Sequence, residues 1–126
     1  MTTDNQDFTM VAGDRLDIRY AVTDGATGAV VDVTPATDVR WQMARIYERA
    51  DGSSDFSSTA AVSKTLGDGI VIGPDQNRIV VSLVNANTKD LVPGDYHSEL
   101  QVTSLSGSGP YTVARGTVTL LKELIK

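Results

Sequence analysis

The sequence predicts an all-β domain, a two-sheet Greek-key sandwich of seven to nine strands with one short helical turn. Three observations carry this expectation. Short runs of alternating apolar and polar residues recur along the chain, each closed by Gly, Pro, Asn or Asp, which is the pattern of half-buried strands joined by turns. No segment sustains the apolar period of about 3.6 residues that an amphipathic helix requires. The chain has 126 residues and no cysteine, enough to close one hydrophobic core without staples, and two packed sheets are the economical way to do it.

The elements follow in order. Residues 1–7 are polar and acidic and read as a flexible arm. Residues 8–11 form a first edge strand that stops at Gly13-Asp14. Leu16, Ile18, Tyr20 and Val22 alternate with Asp17, Arg19, Ala21 and Thr23, giving a strand with one buried face. Asp24, Gly25, Ala26, Thr27 and Gly28 supply a turn, since Asp bonds back to its own loop and Gly tolerates positive φ. Residues 29–33 return as a short strand stopped by Thr34-Pro35.

The strand at 39–48 places Val39, Trp41, Met43 and Tyr47 on one parity. Arg40, Gln42 and Glu48 intervene and prefer water, so the Trp41 parity is the core parity. Residues 50–58 read as a polar loop, and strands at 60–66, 70–72 and 79–84 are separated by Gly67-Asp68-Gly69 and by a turn at 73–77. Residues 85–91 break the alternation; Asn87 or Thr88 can cap one helical turn that points Leu91 inward.

Leu91, Val92, Pro93, Gly94, Asp95 and Tyr96 then form the most informative stretch. Pro93-Gly94 makes a turn and Tyr96 enters a strand over 95–105, with Tyr96, Leu100 and Val102 inward and His97, Glu99, Gln101 and Thr103 outward. A tyrosine so placed matches the tyrosine corner of immunoglobulin-like sandwiches, in which the phenol caps a backbone group just upstream, and a lone mid-strand Trp suits the central aromatic of the same fold. Residues 106–110 close a hairpin into a last strand over 111–121. There the apolar parity changes from Tyr111 and Val113 to Val118 and Leu120. One extra residue must be absorbed, and Arg115-Gly116 is the expected β-bulge because Gly accepts a left-handed conformation. Residues 122–126 form a short charged tail, so a single domain spans 8–121. The structural weight is expected on Trp41, Leu91, Pro93, Gly94, Tyr96 and Gly116.

Chemistry is sparse. His97 is the only histidine and faces outward, so it reads as a surface sheet residue; a His pair for a metal is excluded, and no Gly-x-Ser-x-Gly elbow accompanies it. Aspartates 24, 32, 51, 55, 68 and 75 sit in turns, where turn chemistry explains them without a metal. Asp51 with Asp55 is the nearest approach to a cation pair, but no EF-type spacing exists. The Gly-containing turns lack the Lys-Ser/Thr and helix of a phosphate loop. Tyr20, Trp41, Tyr47, Tyr96 and Tyr111 could be a carbohydrate-stacking platform, but four of the five fall on inward parities and read as core. The expectation is therefore no catalytic residue, no cofactor and no metal. A net charge of −5 opposes nucleic-acid binding, and no apolar run approaches the ~20 residues a membrane helix needs.

The order of landmarks resembles a phage family. Gly13-Asp14 leads into the alternating strand, and Val39-Arg40-Trp41-Gln42-Met43 carries the Trp. Lys64-Thr65-Leu66-Gly67-Asp68-Gly69-Ile70 follows, then Thr88, Leu91, Pro93, Gly94, Tyr96, His97, Glu99 and Leu100, and Val113-Ala114-Arg115-Gly116-Thr117-Val118 closes the set. Together these resemble the immunoglobulin-like N-terminal domain of tailed-phage baseplate upper proteins and its free-standing virion relatives, over roughly residues 11–121. The resemblance implies a non-enzymatic virion protein assembled in the bacterial host cytoplasm, oligomeric in the particle and contacting other virion proteins. Within that implication the domain is a docking or adaptor module of the tail or baseplate, with capsid decoration and a carbohydrate-binding sandwich as alternatives. The baseplate proteins continue into a fibre-forming region, whereas this sequence stops at Lys126. Residues 1–7 and 122–126 are candidates to order on a neighbour, with ordinary terminal fraying as the equal alternative, and the strand at 8–11 could pair with another subunit.

Overall fold

The computed structural model describes residues 7–23, 27–30, 32–34, 36–103 and 111–122. Residues 1–6, 24–26, 31, 35, 104–110 and 123–126, with the turn, hairpin and tail expected on them, lie outside the described residues. The elements are β1 (Phe8–Val11), β2 (Leu16–Ala21), β3 (Asp38–Glu48), β4 (Ser54–Phe56), β5 (Val62–Leu66), β6 (Gly69–Ile72), β7 (Arg78–Leu83), α1 (Asn85–Thr88), β8 (Gly94–Thr103) and β9 (Tyr111–Leu121).

The domain is all-β, as the alternation predicts. Its strands follow one hydrogen-bonded path, β1-β9-β8-β3-β5-β6-β7-β2, with β4 beside β3. The path is a mixed sheet that nearly closes on itself. It is mixed because β1 joins β9 in parallel and β6 joins β5 in parallel, while the other pairs are antiparallel. Between β5 and β6 the chain does not reverse; Thr65 pairs with Gly69 and Leu66 with Ile70, so it steps sideways by one strand. Gly69 makes that step at φ +94°, and a Cβ there would lie 2.6 Å from Lys64 Cδ.

The core forms where the two arms of this path face each other. Val39, Trp41 and Met43 of β3, Leu100 and Val102 of β8 and Val118 of β9 meet Ile79, Val81 and Leu83 of β7 and Tyr20 of β2. Trp41 is fully buried, and its Nε1 donates to Tyr20 Oη at 3.0 Å. Three strands separate β3 from β2 along the path, so this bond crosses the core and satisfies both polar tips inside it. Burial pushes the Tyr20 phenol up to about 12, with the Trp41 bond pulling the other way.

Four expectations are corrected. The strand expected at 29–33 does not appear among the described residues of that stretch: an isolated bridge joins Thr23 to Val30, and the buried Val33 donates its N–H to Gln76 O at 2.8 Å instead of to a ladder. The polar loop at 50–58 contains β4, which pairs Ile46 with Phe56 and Glu48 with Ser54. The bulge of β9 is not at Arg115-Gly116. Gly116 pairs regularly with Ser98, whose buried Oγ donates to Gly116 O at 3.1 Å. The register shifts two pairs further along β8, beyond Leu100 opposite Ala114, where Gln101 faces Thr112 and Val113 is left as the extra residue. Val113 and Ala114 are consecutively buried, so the core accepts both side chains, and a bulge that stays right-handed needs no glycine. Finally, Tyr47 shares the Trp41 parity but is exposed, because β3 there runs past the strands that cover the core.

Candidate functional site

Two built regions stand out, one rigid end of the domain and one cleft on its outer face. At the rigid end Tyr96, 2% exposed, donates from Oη to Val92 O at 2.6 Å, which is the corner expected from the sequence. Gly94 turns the chain at φ +142°, a conformation that L side chains rarely adopt, and Leu91 packs against the core. The helical turn is capped differently from expectation. Val84 takes the N-cap position, and Asn87 reaches back to accept the Val84 N–H at 2.7 Å. Thr88 is fully buried and accepts the Gly13 N–H at 2.9 Å, while Asn85 Nδ2 donates to Gly13 O at 2.9 Å. Both backbone groups of Gly13, in the β1–β2 turn, are thereby held by α1, 72 and 75 residues away along the chain.

The cleft lies on the face of β3 and β8 that turns away from the core. Antiparallel pairing places Arg40 opposite Gln101, Gln42 opposite Glu99 and Ala44 opposite His97. β4 folds back beside β3, and the chain stays pinned there through Ser57 N–H to Arg45 O and Ala61 N–H to Met43 O, each 2.8 Å. This brings the Phe56 ring over His97, with centroids 4.2 Å apart and planes inclined by 15°. His97 Nε2 lies 3.0 Å from Glu99 Oε1, with Nε2 as donor because an ionised carboxylate only accepts. A cleft of about 180 Å³ opens between this roof and the sheet, lined by Arg40, Gln42, Phe56, Ser57, Glu99 and Gln101 among others. Arg40 Nε binds Asp38 Oδ2 at 2.8 Å, and Gln42 Nε2 donates to Ser63 Oγ at 3.1 Å.

The turn aspartates act as turn residues. Asp32 Oδ1 accepts from Thr34 N and Oγ1, and Asp51 Oδ1 accepts from Ser53 N and Oγ. Asp55, the other half of the pair singled out above, accepts the Phe56 N–H at 2.8 Å and meets the Arg49 guanidinium. These bonds hold all three carboxyls below the ordinary aspartate range; for Asp55 the Phe56 N–H leads and Arg49 adds to it. Asp51 and Asp55 therefore stabilise the β3–β4 hairpin. No group of three or more His, Asp or Glu among the described residues is arranged to hold a metal ion.

Of the residues expected to matter, Trp41, Leu91, Gly94 and Tyr96 work together on the core and the corner. Gly116 sits apart, in a regular pair. Tyr20, Trp41 and Tyr96 are buried, so they cannot form a stacking platform, and the Tyr111 side chain lies outside the described residues. Phe56 is the residue the sequence reading passed over. Its signal is a lone aromatic in a stretch of Asp, Gly and Ser, where solvent alone gives no reason for a ring. No protein-family model matches this sequence, and no curated protein matches it.

Proposed function

We propose that the chain is a non-enzymatic structural protein of a tailed-phage virion, a docking module of the tail or baseplate built on an immunoglobulin-like Greek-key sandwich. The resemblance of the ordered motifs supports the family. The pairing of β2 with β7, the run β3-β8-β9, the parallel β1 at its end and the Tyr96 corner support the fold.

The observation that carries a docking role is the pair of open sheet ends. β1 and β2 terminate the strand path, each with one paired neighbour among the described residues. Beside β2 lies a slot of about 280 Å³ lined by Tyr20, Val22, Leu100, Val113 and Ala114 together with Arg19 and Arg78. A free strand edge offers main-chain hydrogen bonds to an extended segment, and a slot beside it takes alternate side chains of that segment. The α1–Gly13 bonds hold the turn that joins the two strands, so a partner meets a preformed edge there.

Mass spectrometry of purified phage particles from the source bacterium, followed by electron microscopy, tests the reading. The chain is expected at a fixed stoichiometry, with density at the tail or baseplate and a β1 or β2 edge against a neighbour. Density on the capsid lattice would make it a decoration protein instead. Absence from purified particles would remove the virion role altogether.

A further inference from the structure

We propose that the cleft between Phe56 and the β3–β8 face binds one ring of an uncharged saccharide. The inference is independent of the virion role and rests on what lines the cleft.

Charge decides the class of ligand first. Arg40 is already bonded to Asp38 at 2.8 Å, and Glu99 is bonded to His97 at 3.0 Å. An anion would meet the Glu99 carboxylate beside an Arg40 already shared with Asp38; a cation would meet Arg40 and a carboxylate already engaged. An uncharged ligand disturbs neither pair. The remaining polar groups suit hydroxyls. Gln42, Gln101, Ser57 and Ser58 line the cleft. Gln101 Nε2 donates to Thr112 Oγ1 at 3.5 Å and Ser57 Oγ accepts the Thr59 N–H at 3.1 Å, which leaves Gln101 Oε1 as an acceptor and the Ser57 hydroxyl as a donor. Amides and hydroxyls both donate and accept, and so do the hydroxyls of a sugar. With Nε2 of Gln42 held by Ser63, its Oε1 remains an acceptor on the cleft.

Phe56 supplies the apolar component. One face of its ring is stacked on His97, yet the residue is still 44% exposed. An aromatic ring fixed in this way offers a surface to polarised C–H groups while amides take the hydroxyls. Size fits a single ring: about 180 Å³ falls below the roughly 300–1,000 Å³ of sites for drug-sized ligands. The roof is pinned by β4 pairing and by the Ser57 and Ala61 backbone bonds, so little ordering cost attends binding.

The test is an NMR amide titration of the full chain with the methyl glycosides of glucose, galactose, mannose, rhamnose and N-acetylglucosamine. Acetate and inorganic phosphate serve as charged probes. At least one glycoside is expected to shift amides at 56–60 and 97–101 saturably, with a dissociation constant in the millimolar range. Gln101→Ala and Phe56→Ala should each weaken that glycoside about tenfold, with the amides of Ile79 and Leu83 on β7 unmoved. Phe56→Trp should restore binding, which separates a lost stacking surface from a disturbed hairpin. Absence of saturable shifts with every glycoside overturns the proposal. So does preferential saturation of the same amides by acetate or phosphate, or undiminished binding by Gln101→Ala.

Discussion

The two halves of β3 share one alternation and meet opposite environments. Val39, Trp41 and Met43 are fully buried, while Arg45 and Tyr47, on the same parity, are exposed, Tyr47 by 47%. The first half lies between β8 and β5 and faces Tyr20 across the core. Pairing with β8 ends at Arg45, and Ile46, Tyr47 and Glu48 pair with β4 alone. A two-stranded ribbon is marginal on its own. The ribbon is held instead by Arg49–Asp55, by the Asp51–Ser53 bonds and by Phe56 lying back on His97. Alternation therefore reports which residues share a face, and only neighbours decide whether that face is covered.

Mutations can break or sharpen this contrast. The largest effect is expected from Trp41→Ala, about 3–5 kcal/mol in chemical denaturation, because a cavity opens and Tyr20 Oη loses its donor. Near-native stability would move the ring out of the core. Next comes the alkaline limb of stability. The folded pKa of Tyr20, about 12, lies above the ordinary value near 10, so its contribution is complete below pH 10 and is lost as pH rises through 12. The loss amounts to roughly 2–3 kcal/mol. Phenolate absorbance should show a late phase that disappears in Tyr20→Phe; a wild-type titration without that phase contradicts the buried pair.

Tyr96→Phe should cost about 1–3 kcal/mol, since Val92 O loses its partner at a part-buried site. An unchanged melting curve would mean the corner does not hold the turn. The smallest effect belongs to the ribbon. Tyr47→Ala should change global stability by no more than about 0.5 kcal/mol, despite sharing its parity with Trp41. A loss comparable to that of Trp41→Ala would show that something covers the ribbon after all.

Much of the fold is legible in the chain because its signals are local. The Tyr96 corner could be read from Pro93-Gly94 and the strand that follows, and β2 from four apolar residues at alternate positions. The shift of parity in β9 is equally visible, but its location is not. Gly116 attracts attention as the residue most tolerant of a bulge, whereas the step falls at Val113, where the core has room for two consecutive side chains. The cleft was illegible for a related reason. His97 and Glu99 are recognisably outward, yet nothing near them in sequence indicates that Phe56, about forty residues earlier, lies over them.

By itself the sequence determined the strand class, the identity of most inward residues and the corner, because alternation and turn chemistry act within a few residues. The tertiary structure decided where β9 slips, which end of β3 is covered, what Thr88 and Asn85 hold and how Phe56 roofs the outer face. Those outcomes depend on which distant strands become neighbours. Burial and hydrogen bonding reward that pairing only after the whole path has assembled.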